Sequence, residues 1–465
     1  MSDRTLDRSV VPAPGVLRPA RFPEIHRFDL SNGVPVWFCE TDGMPVTTVR
    51  VLHPSGAIRE DASRAGLATL TGNLLESGTT RLTALEIART LESYGVRVGT
   101  STSWEVGSVD VTSLTRNLEA VVGIMAELMT DSVFPETEVA RLRHEQLAAI
   151  RQRRADPRHL ADEIINRFIF AEGTPFVRPA SGTPETVSAI TRNDVVDFHQ
   201  RTFTPTGAAV VVVGKLDPAR ARDLAEEAFG GWSGGPPPPA SGVARAREPG
   251  VQVVVVDRPG SVQSEIRVGH LGVARNTPDF FPIAVMNTIL GGAFSSRLNL
   301  NLREKHGFTY GVNSSFVMRR QPGPFTVATA VQTEVTGAAV REIVRELNHI
   351  REELVTDPEL TDARNYLAGT YPLRLQTTDG VASRLSELFI YDLPHRYVDE
   401  FPEQVLAVTR ERVLSAAVEH LRPDDLTILA VGDASVVGSQ LEELGLAPVE
   451  VISAEGIGRT APERS

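Results

Sequence analysis

Leucines at positions 67, 70, 74 and 75 fall at the three- and four-residue spacing that buries one face of a helix. Ser63 stands where it can cap the start of that helix, and Gly78 where it can end it. Upstream, residues 28–30, the turn Ser31-Asn32-Gly33 and residues 34–38 predict a hairpin folded on Asn-Gly, and residues 45–52 a third strand. Downstream, Thr83 and Glu86 form the two ends of a capping box. Leu85, Leu91 and Tyr94 supply an apolar face, and Gly95 stops that helix. Alternation over residues 96–112 predicts strands, and helical periodicity over 118–129 and 136–151 predicts two helices. The apolar run 210–213 reads as a buried strand, followed by a helix over 218–229.

The pattern then breaks at Gly234-Gly235-Pro236-Pro237-Pro238-Pro239-Ala240-Ser241-Gly242, a linker composition. Beyond it the pattern starts again. Residues 251–256, a Pro259-Gly260 turn and residues 264–268 mirror the first hairpin, and residues 281–290 mirror the leucine helix. Residues 302–307, with Gly311 beyond, mirror Leu91, Gly95 and Gly99. Long helices follow over 336–354 and 357–367, and a closing strand over 426–431. The fold class this predicts is α+β: two similar α/β domains, each a mostly antiparallel mixed sheet with helices packed on one face. The expected boundaries are a disordered segment at 1–22, a first domain at 23–233, a linker at 234–250, a second domain at 251–452 and a tail at 453–465.

Composition narrows the function classes. A formal net charge of −12 argues against nonspecific binding to nucleic acid or anionic membrane. Cys39 is the single cysteine, so neither an intrachain disulfide nor a thiolate metal cluster can form; in its apolar run it reads as a buried, inert thiol. The first twenty residues lack the charged-then-apolar pattern of a signal peptide, and the longest apolar runs are strand length, so the expected location is cytoplasmic.

Gly66-Leu67-Ala68 and Gly78-Thr79 resemble the flanks of the active-site helix in the pitrilysin, insulinase and mitochondrial processing peptidase family. That family carries H-x-x-E-H between them, two zinc-binding histidines on one helix face with a glutamate as general base. Here the histidine positions hold Thr69 and Asn73, and the base position holds Gly72. The family's third ligand is a glutamate in a V-V-L-x-E-I-like segment; residues 145–150 read Glu-Gln-Leu-Ala-Ala-Ile, which places Ala149 there. Glu76 has no histidine within helical reach and reads as a solvated residue, and no H-x-x-H, H-x-x-x-H or C-x-x-C pair substitutes for the lost motif.

In the second half, Leu290-Gly291-Gly292-Ala293-Phe294 resembles the family's glycine-rich turn, and Arg303 with Tyr310 resembles its R-x-x-x-x-x-x-Y element. The resemblance implies that Arg303, Tyr310, Gly291 and Gly292 bind substrate backbone, the arginine fork and the phenol serving as donors to a peptide carbonyl. It implies no catalytic residue and no cofactor on this chain, with zinc on a homologous partner subunit and an extended peptide as substrate. The expected function is therefore the non-catalytic, substrate-binding subunit of a heterodimeric zinc metallopeptidase. The alternative is a peptidase-derived peptide-binding or scaffold protein with no proteolytic role.

Overall fold

The computed structural model describes Gly15 and residues 21–453. The expected disordered segment and tail lie almost wholly outside the described residues. Among the described residues, twelve strands form two six-stranded mixed sheets. The first runs in the order β1 (Ile25–Asp29), β2 (Pro35–Glu40), β6 (Ala209–Gly214), β3 (Val46–His53), β5 (Gly107–Leu114), β4 (Gly99–Thr102). The second runs β12 (Val449–Ser453), β7 (Gln252–Asp257), β11 (Thr427–Gly432), β8 (Gln263–Leu271), β10 (Pro324–Gln332), β9 (Val312–Phe316). Parallel pairing joins β2 to β6, β7 to β11 and β7 to β12; the other pairs are antiparallel.

The Asn-Gly turn joins β1 to β2 as an antiparallel hairpin, with Gly33 at φ 81°. Its expected mirror in the second half is a correction: β7 and β8 do not pair. The closing strand β11 lies between them, parallel to one and antiparallel to the other, as β6 lies between β2 and β3. The true counterparts are thus β2 with β7 and β3 with β8. β1 has no equivalent, and β12 takes the corresponding edge from the far end of the chain.

Two reciprocal helices bind the halves together. Along β6, Val210 and Val212 face the core of their own half, whereas Ala209, Val211 and Val213 pack against Val381, Ala382, Leu385 and Leu388 of the helix Thr378–Tyr391. Along β11, Ile428 and Ala430 face their own core. Leu429 and Val431 pack against Leu160, Ile164 and Ile165 of the helix Pro157–Ile169. Each half therefore sends one helix to the far face of the other half's sheet. That is why β6 is apolar throughout and β11 from Ile428 onward, since a strand buried on two faces has no reason to alternate. The burial contributes about 5–10 kcal/mol per helix as an upper bound against an extended chain.

The exchange is symmetric in sequence. On the first sheet Arg50 of β3 pairs with Asp379 of the incoming helix at 2.7 Å; on the second, Arg267 of β8 pairs with Asp162 at 2.6 Å. Positions 50 and 267, and 162 and 379, are both 217 apart. The proline-rich segment is pinned rather than a free tether: Arg59 donates to the Pro238 carbonyl, and the Ser241 amide to Ile58 at 2.6 Å. No helix among the described residues is long and apolar enough to cross a membrane.

Candidate functional site

The leucine helix forms over Leu67–Asn73 and buries Leu67, Leu70 and Thr71. Its start differs from the expectation. Ser63 bonds Asp61, and the cap is Gly66 at φ 94°, a left-handed conformation. A Cβ there would meet the Ser181 carbonyl at 2.6 Å, so glycine is required on two counts. The free amides are taken instead by Glu60, which accepts from Gly66 at 3.2 Å and Ala68 at 2.6 Å and pairs with Arg178 at 3.3 Å. Burial pushes the Glu60 carboxyl up to about 7, against the pull of these donors. The helix also breaks off sooner than its leucines suggest: a tight turn over Leu75–Ser77 precedes Gly78 at φ 137°.

Of the zinc-motif positions on and around this helix, one is engaged and the others offer no buried ligand. Thr69 donates its hydroxyl to the Ala180 carbonyl at 3.4 Å, and Thr102 of β4 reaches the Ala68 carbonyl at 3.4 Å. A Cβ on Gly72 would lie 3.3 Å from the Thr102 hydroxyl. Asn73 and Ala149 are exposed. From the helix Glu136–Ala155 it is Gln146 that turns inward, donating to Gly66 at 3.1 Å and Ser181 at 2.9 Å. This donor set does not fit zinc: one hydroxyl already bonded, one amide, and two positions with no ligand atom. Among the described residues, the cluster of metal-ligating side chains close enough to share an ion is Asp279, Glu419 and His420, on the second half. There Asp279 is already paired with Arg412 at 2.7 Å and His420 at 3.0 Å.

In the second half, the helix Phe280–Asn287 widens into a π turn over Thr288–Gly292, and a second π turn spans Asn299–Lys305. Such widened turns occur often at functional sites. Gly291 is buried against β9, where a Cβ would meet the Ser314 amide at 2.7 Å, while Gly292 is exposed at the bend. Arg303 lies over the Phe294 ring at 4.3 Å and 3.6 Å from Glu304, with its Nη1 buried and without a hydrogen-bond partner. Tyr310 is 96% exposed, at the rim of a cleft of 760 Å³ between β8, β10, β9 and the incoming helix Pro157–Ile169. Arg303 does not line that cleft, so in this structure the two expected substrate donors do not share one pocket.

Two family models match the chain. Residues 38–174 fit the insulinase model of peptidase family M16, and residues 189–367 fit the model described as the peptidase M16 inactive domain. The chain belongs to the insulinase family, M16. Among curated M16 relatives, a protein called an uncharacterized zinc protease from Mycobacterium leprae is 26% identical, covering 86% of this chain and 90% of its own. A protein named non-peptidase homolog YmxG from Helicobacter pylori is 25% identical, covering 86% and 92%. Among solved structures, a peptidase M16 inactive domain from Pseudomonas fluorescens superposes with a TM-score of 0.82 at 24% identity. It covers 88% of this chain and 98% of its own, which confirms the M16 fold.

Sequence reasoning missed Glu60, Gln146 and the cleft residues supplied by the helix Pro157–Ile169. Glu60 carried a usable signal: an acid six residues before a glycine-capped helix that has no side-chain cap of its own. The cleft carried none, because its walls come from opposite halves of the chain.

Proposed function

We propose that this M16 chain is the non-catalytic, peptide-binding subunit of a two-chain zinc peptidase. The observation that carries the reading is an asymmetry within one molecule. The helix that holds zinc in active relatives keeps its frame but has no ligand set, while the second half presents an open cleft with Tyr310 at its rim. An extended peptide running from there to the outer side of the edge strand β9, which is unpaired, would meet its backbone donors and acceptors. Tyr310 would supply a directional O–H to a carbonyl of that peptide, and Arg303, swung off Phe294, a charged fork. Zinc and its activated water would belong to a homologous partner bearing an intact H-x-x-E-H.

A second reading, a peptide-binding or scaffold protein without a proteolytic role, is favoured by one observation: Arg303 is folded onto Phe294 and does not line the Tyr310 cleft. The deciding experiment purifies the chain alone, a zinc-motif homologue alone, and the two mixed, and measures cleavage of an unstructured peptide with metal content. The proposal expects no cleavage by this chain and a large gain on mixing. Cleavage by this chain alone, or no gain on mixing, contradicts it.

A further inference from the structure

The cleft's floor is built for an extended chain. Asn313, Ser315 and Val317 line it from β9 and its extension, and Thr326, Ala328 and Ala330 from β10, so small or short side chains leave the trough open. Its charges do not balance. Three guanidiniums line it, Arg158, Arg267 and Arg319, against two carboxylates, Asp162 and Glu265. Both carboxylates are already committed. Arg267, 3% exposed, holds Asp162 at 2.6 Å and Glu265 at 3.0 Å, and Arg158 stands 3.9 Å from Glu265.

Arg319 is the remainder. It has no ion pair among the described residues, and its guanidinium rests 5.4 Å from the Phe176 ring and 5.7 Å from the Trp104 ring. Those rings favour a cation but cannot accept hydrogen bonds as a carboxylate does, so its donors face the cleft and are left to solvent. Burial lowers its pKa, with Glu105 opposing from beyond ion-pair range. Glu105 does not line the cleft, and its Oε1 accepts from the Arg320 amide at 3.2 Å.

We propose that Arg319 receives a carboxylate of the bound peptide, so that the cleft selects extended peptides bearing an acidic group within reach of the segment at Tyr310. This rests on the peptide-binding reading of the cleft. Tyr310 and Arg319 lie nine positions apart along one strand and its extension, which sets the separation at no more than about 30 Å. A planar fork suits a carboxylate in a bidentate pair. The group could be the peptide's C-terminal carboxylate or an Asp or Glu side chain, and the test separates these.

The test measures binding of N-terminally labelled, unstructured dodecapeptides to the full chain by fluorescence anisotropy. One peptide has neutral side chains and a free C-terminus; a second is the same with an amidated end; a third series is amidated with one Glu walked along it. A carboxylate-bearing peptide is expected to bind about tenfold or more tighter than the neutral amide. A preference for the free end identifies the terminal carboxylate, and a preference for one Glu position identifies a side chain. Arg319→Met, which keeps bulk against Trp104 and Phe176 but removes the charge, should bring the acidic peptide to within about twofold of the neutral one. If that variant does not fold, the wild-type series decides alone. Equal binding of acidic and neutral peptides overturns the role of Arg319 and leaves the peptide-binding reading standing. No binding of any peptide overturns both.

Discussion

The two halves of this molecule share one plan and differ in what they leave open. On the first sheet the face beside Arg50 is filled with charge: Asp379 at 2.7 Å from the incoming helix and Asp110 at 3.8 Å from β5. On the second sheet the residue opposite Arg267 on β10 is Ala328, where Asp110 stands opposite Arg50 on β5. That exchange of an acid for a methyl helps to open the trough in the second half. The helix ends differ in the same sense, with Thr69, Thr102 and Gln146 closing hydrogen bonds around the first, and the second widening into π turns. A duplicated fold can thus lack metal ligands in one half and keep an open cleft in the other, because most of the apolar packing that secures each helix exchange lies outside both, although Ile165 of the helix Pro157–Ile169 also lines the cleft.

The largest effects are expected at the exchanged helices. Ile164→Ala and Leu385→Ala each empty a fully buried position in a reciprocal contact. Each should cost about 2–5 kcal/mol, read as a fall in the denaturant midpoint. For the same reason, polypeptides cut within the proline-rich segment should stay associated when co-expressed. If either substitution costs under about 1 kcal/mol, the halves are not held by this exchange.

Acid should separate the halves next. In the first half His53 is fully buried with both ring nitrogens unpartnered, and burial lowers its pKa to about 3, with His199 nearby adding to the effect. His199, whose Nε2 donates to the Met129 carbonyl at 2.9 Å, is lowered by burial to about 4. The second half has His270, lowered by burial to about 4. A depressed folded-state pKa means the unfolded chain takes up the proton first. The stability these groups contribute is therefore intact above pH about 6.5 and is lost as pH falls toward 4. At pH 5 each buried histidine should cost roughly 2 kcal/mol relative to pH 7.5. His53→Leu should flatten the first half's share by about half, measured as denaturant midpoints at the two pH values.

The ion pairs should show the smallest difference. Arg267 is buried, whereas Arg50 keeps 14% of its side chain exposed, and Asp162 and Asp379 are similarly exposed, at 56% and 60%. Asp162→Asn should therefore cost about 1–2 kcal/mol and Asp379→Asn under about 1 kcal/mol. Equal costs would mean that the two pairs sit in equivalent surroundings.

Much of the scaffold was legible because its signals are local. The Asn-Gly hairpin, the Thr83–Glu86 capping box and the helix Pro218–Phe229 each rest on residues close together in the chain. The pairing of β7 with β11 rather than β8 was not legible, because periodicity reports which face is apolar and not which strand or helix covers it. The same limit hid the exchanged helices and hence the cleft. The loss at Thr69, Gly72, Asn73 and Ala149 could be read only against a family pattern. That Arg303 would not line the cleft at Tyr310 could not be read at all, since Arg303 rests on the Phe294 ring nine residues before it.

Tyr310 gives the most direct test of whether this chain contributes a peptide donor rather than a metal centre. The side chain is almost fully exposed, so Tyr310→Phe should leave the denaturant midpoint within about 0.5 kcal/mol of wild type. In steady-state cleavage by the reconstituted pair, with zinc measured alongside, loss of one donor to the reacting carbonyl should cost about 10²–10³ in turnover at unchanged zinc content. Turnover within about threefold of wild type, in a pair that remains active, would show that Tyr310 is an ordinary surface residue and would contradict the account.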